Sequence, residues 1–228
     1  DIASVLRKLS NESVLNLGYS SNGPLIEYAI LREYLPQNVK KIVWIYFESN
    51  DLNDLSREIQ SETLKKYLNN LNFTQNLKLK QKTIDEILIK NVKISKEKKK
   101  NKSIRQDLIK FVKLEKTIDL FVQPNLPKSD LKKILELVKD LALKNNSELF
   151  FVFLPSYNRY IDNHFDNKNY DFVKKTVNDL DIEFIDIDQE VFKKVKNPLK
   201  FYPFELQYHF NEYGYKSVAE TIYNFIKD

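Results

Sequence analysis

Two short segments most constrain what this chain can fold into. Residues 41–47, KIVWIYF, and 149–154, LFFVFL, are almost wholly apolar and rich in β-branched and aromatic side chains. Runs this short and this uniform read as strands covered on both faces, the mark of a parallel sheet with helices above and below. The first is expected to be a central strand. Residues 182–187, IEFIDI, read as another strand, and residues 14–17, VLNL, as a short buried one. Between them the apolar spacing turns helical. Ile2, Val5, Leu6 and Leu9 mark a first helix, and Pro24 suits the first turn of a second that carries Leu25, Ile26, Tyr28, Ala29, Ile30 and Leu31. Further helices are expected over about 128–143, 169–179 and 212–226. This alternation predicts an open α/β layer structure, whose ligands usually bind beyond the carboxyl ends of the strands.

At 228 residues the chain is long enough for one domain with a sizeable core. The stretch over about 55–120, rich in lysine, glutamine and asparagine, breaks the short rhythm and reads as a helical insertion projecting from the sheet. Within it, residues 93–105 hold six lysines and one arginine. The run lacks interleaved aromatics, so it reads as a solvated helix end or loop in preference to a nucleic-acid or anionic-surface binder. The whole chain carries +5, a mild excess that names no partner.

Absences narrow the chemistry. The chain has no cysteine, which excludes disulfide scaffolds, thiolate metal sites and cysteine nucleophiles. Glycines at 18, 23 and 214 do not form a Gly-x-Gly-x-x-Gly dinucleotide loop. No apolar run approaches the roughly 20 residues of a membrane span, and no signal peptide is evident. The chain also has no methionine, so Asp1 is not expected to be the first translated residue.

Of the two histidines, His209 precedes the last amphipathic helix, where Asn211 is a candidate cap and Gly214 permits close packing. A histidine at such a junction is a candidate general base; the alternative is a half-buried packing or capping residue. His164, among polar residues, reads as solvated, with no second nitrogen or sulfur ligand nearby in sequence. Ser20 and Ser21 sit in a strand-turn-helix and read first as turn and capping residues. Asp51 and Asp54 read as solvated loop carboxylates. Tyr157, Arg159 and Tyr160 follow a strand end and are candidates to line a cleft, Arg159 holding an anionic or sugar substrate or lying exposed.

Taken in order, VLNLGYSSNGPLIEYAILREY, IVWIYFESNDLNDL, LFFVFLPSYNRY and HFNEYGYKSVAE resemble SGNH/GDSL-type hydrolases. The resemblance is closest to the bacterial branch similar to polysaccharide- and lipid-modifying esterases and acetyl-group enzymes, and it covers most of the chain except the middle insertion. It implies a flavodoxin-like three-layer α/β/α sandwich, here with a helical insertion. It implies Asn50 as an oxyanion-hole donor and His209 as the base. Ser21 stands where the second motif normally has glycine, and its backbone N–H remains available as a donor. Ser49 stands at the glycine before Asn50, and Leu206 at the aspartate three residues before His209; Glu205 is the nearest carboxylate. No Gly-Asp-Ser occurs, so the nucleophile is expected upstream of Asp1, in a single domain that is N-terminally incomplete. The implied activity is hydrolysis or transfer of an O-acyl group on a small-molecule ester, glycan or lipid, with no cofactor and no metal. The rival is a catalytically degenerate SGNH-like carbohydrate- or partner-binding domain. The compartment stays open between periplasm or cell envelope and cytoplasm.

Overall fold

The computed structural model describes residues 1–100, 126–207 and 209–227, and shows a mixed α/β fold around a three-stranded, open, parallel sheet. Helix α1 (Ile2–Ser10) starts where the Asp1 carboxylate accepts from the Ser4 N–H at 2.7 Å, and ends at Asn11 in the left-handed region, φ 56°. Helix α2 (Pro24–Tyr34) opens with proline at a position whose N–H has no intrahelical partner. Strand β1 (Lys41–Phe47) follows, then helices α3 (Asp51–Glu58), α4 (Glu62–Asn69) and α5 (Gln81–Lys100). After the undescribed residues come α6 (Lys128–Lys144), β2 (Glu148–Leu154), α7 (Lys168–Asp179), β3 (Glu183–Asp186) and α8 (Glu212–Ile226).

The strand order is β1-β2-β3, with Trp44 opposite Phe151 and Phe151 opposite Phe184. Alternation along each strand sends its side chains into two separate cores. Ile42, Trp44, Tyr46, Phe151 and Phe153 pack with Leu25 and Tyr28 of α2, Leu55 of α3, Tyr67 of α4 and Ile134 of α6. On the other face Phe150, Val152 and Leu154 pack with Leu6 of α1 and Val218, Ala219 and Ile222 of α8. Phe184, Phe151 and Tyr46 stack in a row across the first face, successive centroids 5.7 Å apart. Such offset aromatic pairs contribute roughly 0.5–1.5 kcal/mol each beyond the area they bury.

Two sequence expectations change. β1 was expected at the sheet's centre, yet among the described residues it is an edge, and its second-face residues Val43, Ile45 and Phe47 stay only partly buried. Residues 14–17 are not a buried strand. Val14 touches the second core and Leu17 the first, so the segment passes from one face to the other, while Leu15 is 60% exposed. Four residues, three of them apolar, meet the length of a strand, but among the described residues no neighbour supplies a ladder for them. Residues 51–69 bring Leu52, Leu55, Tyr67 and Leu68 into the first core. Residues 101–125, which include part of the basic run, lie outside the described residues.

Candidate functional site

The carboxyl ends of β1 and β2 are joined by a buried ion pair. Arg159, in a short 3-10 turn after β2, grips Glu48 with two nitrogens: Nη2 on Oε1, and Nε on Oε2 at 3.0 Å. The Ser156 N–H adds a third bond to Glu48 Oε2 at 3.0 Å. Arg159 Nη1 lies 3.8 Å from Asp188, whose other oxygen accepts from the Tyr160 hydroxyl at 2.8 Å. The rings of Phe165 and Tyr170 each lie 5.0 Å from the guanidinium carbon. With the Arg159 side chain 8% exposed and Asp188 fully buried, these charges form a closed internal clamp. Arg159 therefore neither lies on the surface nor waits for an anionic substrate.

Asn50 occupies the N-cap position of α3, three residues beyond the end of β1. Its side chain does not cap; Nδ2 donates to the Asp54 carboxylate, which also holds Arg57. Asp51 and Asp54 are each 4% exposed, so they are buried helix residues and not solvated loop carboxylates. Asp51 accepts from the Phe47 N–H at 2.9 Å. Burial, with a smaller push from the nearby Glu58 charge, raises its carboxyl to about 8 against the pull of that N–H. Glu27 on α2 is raised well above the usual carboxylate range, first by burial and then by Asp51 and Glu58.

Ser21 sits in the turn before α2 at φ 68°, a conformation that costs an L residue roughly 1–2 kcal/mol and glycine nothing. Two residues on, a Cβ at Gly23 would stand 2.7 Å from the Cβ of Asp54 and 2.9 Å from both Glu58 carboxylate oxygens. Only a residue without a side chain fits. Glu58 caps α2 from a distance, accepting the N–H groups of Gly23 at 2.6 Å, Leu25 at 2.9 Å and Ile26 at 3.3 Å. Ser20 and Ser21 do not cap; the N-cap position is Gly23. An open depression of about 350 Å³ has Ser21, Asp54, Arg57 and Glu58 in its lining. Beside it the buried Asn22 Nδ2 has no hydrogen-bond partner among the described residues.

His209 is exposed in the loop before α8. That helix starts at Asn211, whose side chain accepts from the Gly214 N–H at 2.9 Å, and a Cβ on Gly214 would meet the Phe201 carbonyl at 2.7 Å. Upstream, Phe204 and Glu205 both have positive φ, 54° and 59°, which leaves Phe204 94% exposed. The Tyr157 hydroxyl fastens this loop to the end of β2 by donating to the Glu205 carbonyl at 2.9 Å. The Glu205 carboxylate accepts from Asn197 Nδ2 at 2.8 Å. His164 is exposed, as its polar setting suggests.

The fold thus brings Gly23, two residues after Ser21, and Asn50 onto one residue, Asp54, and ties the His209 loop to the same edge of the sheet through Tyr157. Glu48, Asp51, Asp54 and Glu58 are structural members that sequence reasoning missed or misplaced. Glu48 directly follows a buried strand, a signal available in the sequence; Glu58 reaches a turn 35 residues away and leaves none. Among the described residues no group of three or more His, Asp or Glu side chains is placed to hold a metal ion. Comparison with protein-family models, with curated proteins and with solved structures finds no match for the chain.

Proposed function

We propose that residues 1–228 carry the oxyanion-stabilising and general-base parts of an SGNH-type serine esterase or acyltransferase, built on a flavodoxin-like three-layer α/β/α sandwich. The observation that supports this best is the joint packing of the Ser21 turn and Asn50 on Asp54 at the carboxyl edge of the sheet. A left-handed Ser21 is what a turn normally built on glycine requires, so its N–H and the Asn50 amide are the two donors for a tetrahedral oxyanion.

The resemblance sets the nucleophilic serine in a Gly-Asp-Ser motif, which residues 1–228 do not contain. His209 takes its proton as the serine attacks the ester carbonyl, then gives that proton to the leaving alcohol. Water, activated in turn by His209, or a sugar hydroxyl in its place, releases the acyl group. Glu205 is the candidate orienter of His209, and a Ser-His dyad is its rival. Replacing Glu205 by Gln lowers kcat in the first case and leaves it unchanged in the second.

The test is hydrolysis of aryl acetates, together with covalent labelling by a fluorophosphonate, on the parent polypeptide and on residues 1–228 alone. The parent is expected to turn over and to label, losing both with His209→Ala, while residues 1–228 do little of either. Turnover by residues 1–228 that His209→Ala abolishes would place the nucleophile inside this chain. A second reading, a degenerate binding domain, draws on Asn50 being engaged by Asp54 and on Leu206 standing in place of a carboxylate. A folded parent that neither labels nor turns over would favour it.

A further inference from the structure

The loop that carries His209 is pinned on both sides of the histidine, by different means. At its base the Asn211 N–H donates to the Phe201 carbonyl and the Asn211 side-chain amide to the Lys200 carbonyl, both at 2.8 Å, so the chain leaves and returns at one place. Just inside that base Phe210, 8% exposed, packs its ring against those of Tyr202 and Phe192, with centroids 5.3 Å away in each case. This buried ring fixes the chain immediately after His209. Before the histidine the loop turns through Phe204 and Glu205, two consecutive residues in the left-handed region that L side chains rarely enter. The Glu205 N–H bonds the Tyr202 carbonyl at 3.2 Å and the Leu206 N–H the Pro203 carbonyl at 3.0 Å, so the turn closes on itself.

Backbone held in such a conformation persists where surrounding groups over-determine it. Two side chains reach Glu205 from outside the turn among the described residues. Asn197 grips the carboxylate, and the Tyr157 hydroxyl grips the backbone, donating to the Glu205 carbonyl at 2.9 Å. Tyr157 is itself well placed to hold something still. It lies between Ser156 and Arg159, both bonded to the Glu48 carboxylate beyond the end of β1, and its ring stands edge-on to Tyr202 at 5.0 Å. The tie therefore runs from the sheet, through Tyr157, to the strained backbone four residues before His209. If the Phe204–Glu205 turn relaxes while the Phe210 ring stays buried, the segment between them must shift, and His209 lies in that segment.

We propose that Tyr157 is a positioning residue for His209, its hydroxyl holding the left-handed turn so that the imidazole meets the serine, a role that rests on reading His209 as the general base. Tyr157→Phe keeps the ring on Tyr202 and removes the hydroxyl alone. In the whole protein acting on an aryl acetate, kcat is expected to fall about 10- to 100-fold with KM little changed. Phe204→Gly, at a side chain 94% exposed, relieves the strain at one of the two residues. Added to Tyr157→Phe, it should recover about fivefold of the lost kcat. Amide exchange at Glu205 and Leu206, which needs no turnover, should quicken in Tyr157→Phe. Three results would overturn the proposal and leave the base in place: wild-type kcat in Tyr157→Phe, a lowered kcat that Phe204→Gly does not recover, or exchange that does not change. A wild-type protein without turnover would instead remove the reading of His209 as a base, and the role of Tyr157 with it.

Discussion

The side-chain amide of Asn50 donates to Asp54, and the Cβ of Asp54 stands 2.7 Å from where a Cβ on Gly23 would be. One carboxylate therefore holds the loop after β1 in place while its own carbon backs the turn before α2. Gly23→Ala forces that contact apart. Its φ of −108° is open to any residue, so the cost is steric. A loss of about 1–3 kcal/mol is expected, as for other overpacked sites. Denaturant unfolding checks it, and an unchanged midpoint would refute the close packing.

Glu58 serves α2 as a remote cap. Glu58→Ala leaves the Gly23, Leu25 and Ile26 N–H groups without their acceptor, at an expected cost of about 1–3 kcal/mol. Glu58→Gln keeps one oxygen and should cost less. Amide hydrogen exchange at Leu25 and Ile26 localises the effect: it should rise in the alanine variant well beyond the change elsewhere in α2.

Asp51 sets a pH dependence with a definite sign. Its carboxyl titrates near 8 when folded and near 3.8 when free. Between these values the folded chain keeps a proton that the unfolded chain has lost. Its contribution to stability is full below about 4, declines as pH rises towards about 8, and is flat above, with a slope of up to about 1.4 kcal/mol per pH unit. Glu27 acts in the same direction. Asp51→Asn can still accept from the Phe47 N–H but does not titrate. Its stability relative to wild type should therefore rise between pH 5 and pH 9, and parallel profiles would contradict the raised carboxyl.

The Glu48–Arg159 pair is expected to be costly to break singly. Arg159→Met strands a buried carboxylate and should lose about 3–5 kcal/mol. Adding Glu48→Gln removes the stranded charge and should recover part of that loss. A double-mutant cycle measures the coupling, and simple additivity would mean that the two residues do not act as a clamp.

Much of the frame was legible because it rests on periodicity. KIVWIYF and LFFVFL became paired parallel strands, and Pro24, Asn211 and Gly214 did at α2 and α8 what their chemistry suggests. The burial of Asp51, Asp54 and Arg159 was not legible. A charged letter reads as solvated unless its partner is known, and the partner of Arg159 is Glu48, brought near only by the fold. VLNL has the composition of a strand, but pairing depends on a neighbour that composition does not specify. The close approach of Gly23 to α3, two residues after the positive-φ Ser21, is likewise a contact over more than thirty residues of sequence.

The most direct test of the acyl-ester account is the rate of aryl acetate hydrolysis by the whole protein carrying Asn50→Ala. Asp54 retains Arg57 in this variant, so the fold is expected to survive. Loss of one oxyanion donor should lower kcat by about 10²–10³ with KM little changed. A protein that keeps its full kcat without Asn50, or one that shows no turnover at all, would contradict the account.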